Sequence, residues 1–250
     1  MSDYWIKRLK DNQFKPGTKK MDKEIAKVYK SAGSEIESII KDLWLQLLQE
    51  GSLTSSGLYQ YGRYNKLLEQ INNQLKLLGN KEIEVMNAQL EDVYINTFKE
   101  SCLKFDGILN NSTLRLDVVK EIVNSNFRGA TFSQRIWTRQ DKLKEQLLRV
   151  ITNSAVLGKD YLKVSKDLSE RLNVSLTYSK QLVRTETMRV FDDAYLNSAK
   201  SKGYTHYDIL LGPNPCRKCI DVQSLGPYHI DNRVLPNHSN CECCPVIITT

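Results

Sequence analysis

The sequence predicts a mainly α-helical chain that ends in a small C-terminal α+β module of zinc-knuckle type: long amphipathic helices, then a short irregular β segment. Three observations carry that expectation. Apolar residues recur every three or four positions from about Met21 to about Lys202, the period of one helix face. At Gly203 the composition changes, and Gly212, Pro213, Pro215, Gly226, Pro227 and Pro236 break any regular pattern. Five of the six cysteines fall in the last 35 of the 250 residues.

The first predicted helix carries Ile25, Val28, Tyr29, Ala32, Ile36, Ile39, Ile40, Leu43, Trp44, Leu47 and Leu48 and stops near Gly51. A second runs through Leu58, Tyr61, Tyr64, Leu67, Leu68, Ile71, Leu75 and Leu78, with Gly79 placed as a C-terminal residue free to take positive φ. A third follows through Ile83, Met86, Leu90, Val93, Tyr94 and Phe98. Short polar turns between them favour an antiparallel bundle or a helical hairpin. Tyr59, Tyr61 and Tyr64 read as core rather than as a base-stacking surface, and Cys102 as a small buried residue.

The turn-rich stretch from Asp106 to Thr113 marks a boundary. Beyond it lie a short helix at Val118–Val123 and a longer one opened by Thr131 or Ser133 and closed at Gly158. Two more are expected, from about Tyr161 to Leu172 and from Tyr178 to about Lys202. Tyr207–Leu211 and Val246–Thr249 read as short strands. The expected organisation is an N-terminal long-helix region with a basic arm (1–113), a helical domain (114–203) and a cysteine-rich module (204–250).

A net charge of +7 permits a polyanionic partner, and its distribution is uneven. Residues 1–30 hold nine Lys or Arg against four acids, among them Lys7, Arg8, Lys10, Lys15, Lys19 and Lys20. Such an arm neutralises phosphates without reading sequence, so these six are the nucleic-acid candidates; a solvated helix face is the competing reading. No stretch has the apolar length of a signal peptide core or a membrane span, which leads us to expect a chain held in a cytoplasm with reduced thiols.

The chemistry-bearing pattern is Cys216-x-x-Cys219 followed by His238-x-x-Cys241-x-Cys243. Each short pair can present two ligands to one tetrahedral ion, which points to structural zinc. Cys216, Cys219 and His238 are the firmer members, and Cys241, Cys243 and Cys244 compete for one place. His229 is a substitute for His238. Disulfides or buried thiols are the alternatives. A small module with little apolar core would gain most from a metal cross-link. In the last long helix, Arg184 and Glu186 interrupt an apolar run. Two residues apart, they face different ways, and a buried one needs a partner elsewhere, in backbone carbonyls or acids of the cysteine module.

Several segments together resemble the phage minor head protein family, the Mu F-like head morphogenesis proteins. They are Phe132-Ser133-Gln134-Arg135-Ile136-Trp137, Gly158 with the helix after it, Leu182-Val183-Arg184-Thr185-Glu186, Cys216-x-x-Cys219, and His238-Ser239-Asn240-Cys241-Glu242-Cys243. The resemblance covers roughly residues 115 to 245. The family's usual His-Pro-x-Cys-Arg-Cys has Glu242 in place of arginine here, and Cys244 is extra, while the ligand types remain.

The resemblance implies a non-enzymatic virion component inside the capsid, assembled in the host cytoplasm. Its partners would be the portal and other head proteins, with roles in head assembly and in packaging or ejection of double-stranded DNA. A DNA-binding protein with a zinc knuckle is the alternative. A metal-dependent nuclease using His229, His238 and Asn240 ranks third, because a site rich in Cys and His ligands is normally closed to substrate water. No H-E-x-x-H or G-x-S-x-G occurs.

Overall fold

The computed structural model describes residues 3–106 and 114–248. Its elements are helices α1 (Asp3–Asn12), α2 (Phe14–Gln49), α3 (Ser55–Tyr59), α4 (Arg63–Asp106), α5 (Leu116–Val123), α6 (Phe132–Val156), α7 (Tyr161–Ser201) and α8 (Arg217–Ser224), with strands β1 (His206–Leu210), β2 (Tyr228–His229) and β3 (Cys244–Ile247). The chain is thus mainly α with a small antiparallel sheet near its end, as its periodicity and composition predict. Most of the turn-rich boundary stretch lies outside the described residues.

Contacts gather the chain into two compact units, each built from separate stretches. One contains Met1–Asp22, Met86–Phe132 and Lys180–Thr250; the other contains Lys23–Val85 and Ser133–Ser179. The long helices α2, α4 and α7 each supply a segment to both. Sequence order does not display this division, because a continuous amphipathic pattern carries no mark where the partners of its apolar face change.

Two expected helix breaks do not exist. The second and third predicted helices are one, α4, and Gly79 lies inside it. A Cβ at Gly79 would sit 2.7 Å from the Trp137 ring, so the glycine permits close approach of α6 and ends nothing. The break expected between Leu172 and Tyr178 is likewise bridged by α7. The apolar pattern falters there because that face of α7 meets a buried polar centre. Glu82, 0% exposed, accepts from Ser179 and pairs with Arg139. The Tyr29 hydroxyl lies 3.4 Å from Glu82 Oε2 and 3.1 Å from Ser175 Oγ. Each side chain has a partner, although Arg139 Nε has none among the described residues.

True helix ends follow the expected chemistry. At the end of α6, the Lys159 amide donates to Ser154 O at 3.0 Å and the Gly158 amide to Ala155 O at 3.3 Å. Gly158 takes φ +57°, a conformation that a Cβ would strain. The same pair of bonds, from Tyr204 and Gly203, closes α7. In the second unit, Trp44 Nε1 donates to Lys159 O at 2.9 Å, fixing that turn against α2.

Local differences remain. Tyr59 and Tyr61 are exposed, Tyr61 by 88%, because they sit where the chain turns from α3 into α4 and no element among the described residues covers them. The core reading of that cluster fails for these two. Cys102 is buried as expected. β3 begins two residues before the predicted strand and takes in Cys244; α8 and β2 were not expected. The sheet order is β2-β1-β3, all antiparallel, with Tyr207 and Ile209 of β1 buried.

Candidate metal centre

The site is built on the first turn of α8. Cys216 is its N-cap, and its carbonyl accepts from the amides of Cys219 and Ile220 at 3.0 and 3.2 Å. That turn sets the Cys216 and Cys219 sulfurs 3.7 Å apart, Cys216 exposed and Cys219 buried. A second tight turn brings the other donors: the Cys241 amide donates to His238 O at 3.2 Å, and Asn240 takes φ +61°, a left-handed conformation that asparagine tolerates. Cys219 Sγ then lies 3.7 Å from Cys241 Sγ and 3.2 Å from His238 Nε2.

All five sequence-predicted ligands come together through Cys219. Cys216, Cys219 and His238 form one group of donor atoms within 4.8 Å of each other, and Cys219, Cys241 and Cys243 form a second. Cys244 lies in β3, paired across the ladder with Leu210, and belongs to neither group. His229 sits on β2 opposite His206, also outside both. All six cysteines are free thiols in the structure, and sulfur separations of 3.7 Å are well beyond the usual disulfide length of about 2.05 Å. They match the roughly 3.8 Å edge of a tetrahedron with zinc–sulfur bonds of about 2.3 Å. His238 Nδ1 lies 2.7 Å from Ser239 O, which favours the Nδ1–H tautomer and leaves Nε2 with its lone pair beside the thiols. The donor set and its spacing therefore fit a borderline divalent ion.

The thiols are unequal. The Cys243 thiol donates to Cys241 and pulls the Cys241 pKa down to about 5 against the opposing effect of burial. Cys243 is raised by the same bond and then by burial, and Cys219 is pushed up to about 12, chiefly by burial. Cys216, at the surface, is lowered by the Cys219 amide. The three buried thiols Cys219, Cys241 and Cys243 cannot all ionise in so small a space without a cation, which is the electrostatic opening for a metal.

The cysteine turn is held from two sides of the first unit. Glu242, between two candidate ligands, pairs with Arg184 of α7, and its backbone carbonyl accepts from Lys10 of α1. The Asn240 amide donates to Thr185 Oγ1 at 3.2 Å. Arg184 thus finds its acid in the cysteine module. Glu186 turns the other way and is buried with Arg189, whose Nε donates to it at 2.7 Å. The Arg189 guanidinium also caps the end of α5, donating to Ile122 O at 3.0 Å and Val123 O at 2.8 Å. Sequence reasoning missed Arg189, although its three-residue spacing from Glu186 on one helix face was the available signal.

Among the basic candidates, Lys7, Arg8, Lys15, Lys19 and Lys20 are exposed, while Lys10 is 8% exposed and committed to Glu242. Asp192 of α7 carried no signal in the sequence. It is 2% exposed, neither carboxylate oxygen has a hydrogen-bond partner among the described residues, and burial followed by the nearby Cys241 raises its pKa well above the usual carboxylate range.

No family model matches the chain, and no solved structure matches it. The chain is similar to the minor head protein GP7 of Bacillus phage SPP1, 23% identical over 225 residues, covering 88% of this chain and 68% of that protein. The likeness spans most of the chain and supports the phage minor head protein resemblance carried by the motifs.

Proposed function

We propose that this chain, similar over most of its length to a phage minor head protein, is a structural component of a phage head that lies inside the capsid beside the portal. The single observation that carries the reading is the extent of the likeness: 88% of the chain aligns with a minor head protein. Long helices suit contacts with portal and neighbouring head proteins. Exposed Lys7, Arg8, Lys15, Lys19 and Lys20 suit packaged DNA during filling or ejection. Assembly would take place in the host cytoplasm. No helix among the described residues is long and apolar enough to cross a membrane.

In this reading the cysteine turn holds one zinc ion through Cys216, Cys219, His238 and Cys241, leaving Cys243 with the Gly212 amide 3.4 Å from its sulfur. Zinc there would cross-link α8 to the turn that docks on α7 and α1. Its role is to hold the small module together, with no reaction assigned to it.

The test is direct. Particles purified from an infected or induced culture are analysed by quantitative mass spectrometry, alongside particles made without the chain. A few copies per head, retained through nuclease and protease treatment of intact particles, is the expected result. Absence from purified heads overturns the proposal.

A further inference from the structure

Among the described residues Cys216 is the one exposed cysteine; Cys102, Cys219, Cys241, Cys243 and Cys244 are all buried, none more than 3% exposed. Cys216 stands at the N-cap of α8, and Arg217 and Lys218 after it are exposed as well. An accessible, electropositive setting of this kind is where cysteines react with oxidants, whereas buried thiols stay inert.

One helical turn behind it, the Cys219 sulfur lies 3.7 Å from the Cys216 sulfur. The Cys219 amide, donating to Cys216 O at 3.0 Å, closes the turn that fixes this spacing. Reaching a disulfide length of about 2.05 Å requires the sulfurs to approach by roughly 1.7 Å, which side-chain rotation can supply. Cys241 is equally near Cys219, at 3.7 Å, but both of those thiols are buried. Burial therefore separates two pairs that distance does not. Asn237 Nδ2 donates to Lys218 O at 2.9 Å, which ties the first turn of α8 to the second cysteine turn without any sulfur.

We propose that Cys216 and Cys219 are a peroxide-reactive pair, in which Cys216 takes up the oxidant and Cys219 closes a disulfide. The Cys216 thiolate attacks the O–O bond of hydrogen peroxide, giving a sulfenic acid and hydroxide. The Cys219 sulfur then displaces the sulfenic hydroxyl, which leaves as water with the thiol proton. Two thiols and one peroxide thus yield one disulfide and two waters. The same two sulfurs are among the four donors of the zinc reading above, so the disulfide removes half of that set and frees the ion. Release rests on that reading; disulfide formation does not. The module would then register a change from reducing to oxidising surroundings, while the Asn237 bond keeps the two turns together.

The experiment exposes the reduced full chain, supplied with zinc, to a small excess of hydrogen peroxide. Free thiols are then capped and disulfides mapped by mass spectrometry, while a colorimetric chelator follows zinc. A Cys216–Cys219 disulfide forming before any other, with zinc set free at the same rate, is the expected result. In the metal-free chain Cys216→Ser should slow the loss of thiols about tenfold, since only buried sulfurs remain. Cys244→Ser, which removes a buried thiol outside both donor groups, should react as the parent chain does. A first disulfide between Cys219 and Cys241, sulfinic acid at Cys216 with no disulfide, no loss of thiol, or an unchanged rate in Cys216→Ser overturns the pair. Zinc retained by a chain carrying the Cys216–Cys219 disulfide overturns the release. A reduced chain that holds no zinc would end the zinc reading, and the disulfide map would still decide this one.

Discussion

Asp192 shows what one side chain can cost. A buried carboxylate with no hydrogen-bond partner among the described residues is penalised in its charged form, and Lys10 and Arg233 offset only part of this. Its folded pKa is raised above the unfolded value near 3.8, so between those two values the folded chain holds a proton that the unfolded chain has lost. Stability from this group is therefore greatest at low pH and falls as pH rises toward the folded pKa. Asp192→Asn should stabilise the chain at pH 7 by on the order of 1–3 kcal/mol. Thermal melts should show the gain vanish below about pH 4; a variant less stable at pH 7 would mean that the carboxylate has a charged or water-bound partner.

The thiols give the second residue-scale expectation. Cys219, one of the proposed ligands, holds its proton at neutral pH chiefly because burial raises it. A bound ion must displace such protons, so affinity for zinc should fall as pH falls, roughly tenfold per unit for each proton released. Competition with a chelator of known affinity at pH 8 and pH 7 measures this. A pH-independent affinity would mean that buried thiols are not the ligands.

At the scale of elements, the continuity of α4 and α7 is set by what their weak spots face. Glycine inside a helix costs about 0.5–1 kcal/mol relative to alanine, yet at Gly79 the gain in propensity meets the Trp137 ring. Overpacking typically costs 1–3 kcal/mol, so Gly79→Ala should lower the melting temperature despite alanine's better helix propensity. Pairing it with Trp137→Phe should recover part of the loss, which a double-mutant cycle reads as non-additivity. Strict additivity would place the close approach elsewhere. Gly79 and the polar stretch of α7 looked like helix ends because local propensity was the only signal; Trp137, Glu82 and Tyr29 lie far away in sequence.

For the molecule as a whole, five of the six basic candidates of the N-terminal region are exposed, while Lys10 is engaged by Glu242. If all five neutralise phosphates of duplex DNA, the logarithm of the binding constant should fall with the logarithm of salt with a slope of roughly −4 to −5. Removing Lys7, Lys15 and Lys19 together should flatten it by about three, with little change for Lys10→Met. A slope near zero across the salt range would remove DNA from the list of partners.

The amino-acid sequence by itself determined the helical class, the cysteine module with its five candidate ligands, and the helix ends at Gly158 and Gly203. These are local matters of periodicity, ligand spacing and the φ that glycine allows, all carried within a few residues. Tertiary structure decided which helices are continuous, how segments gather into two units, and that Arg184 meets Glu242 while Glu186 meets Arg189. It also decided that His206 stands opposite His229 and that Asp192 has no hydrogen-bond partner among the described residues. Those outcomes depend on which distant side chains share a buried volume or a strand register, and neither burial nor register is written in the spacing of residues along one helix or strand.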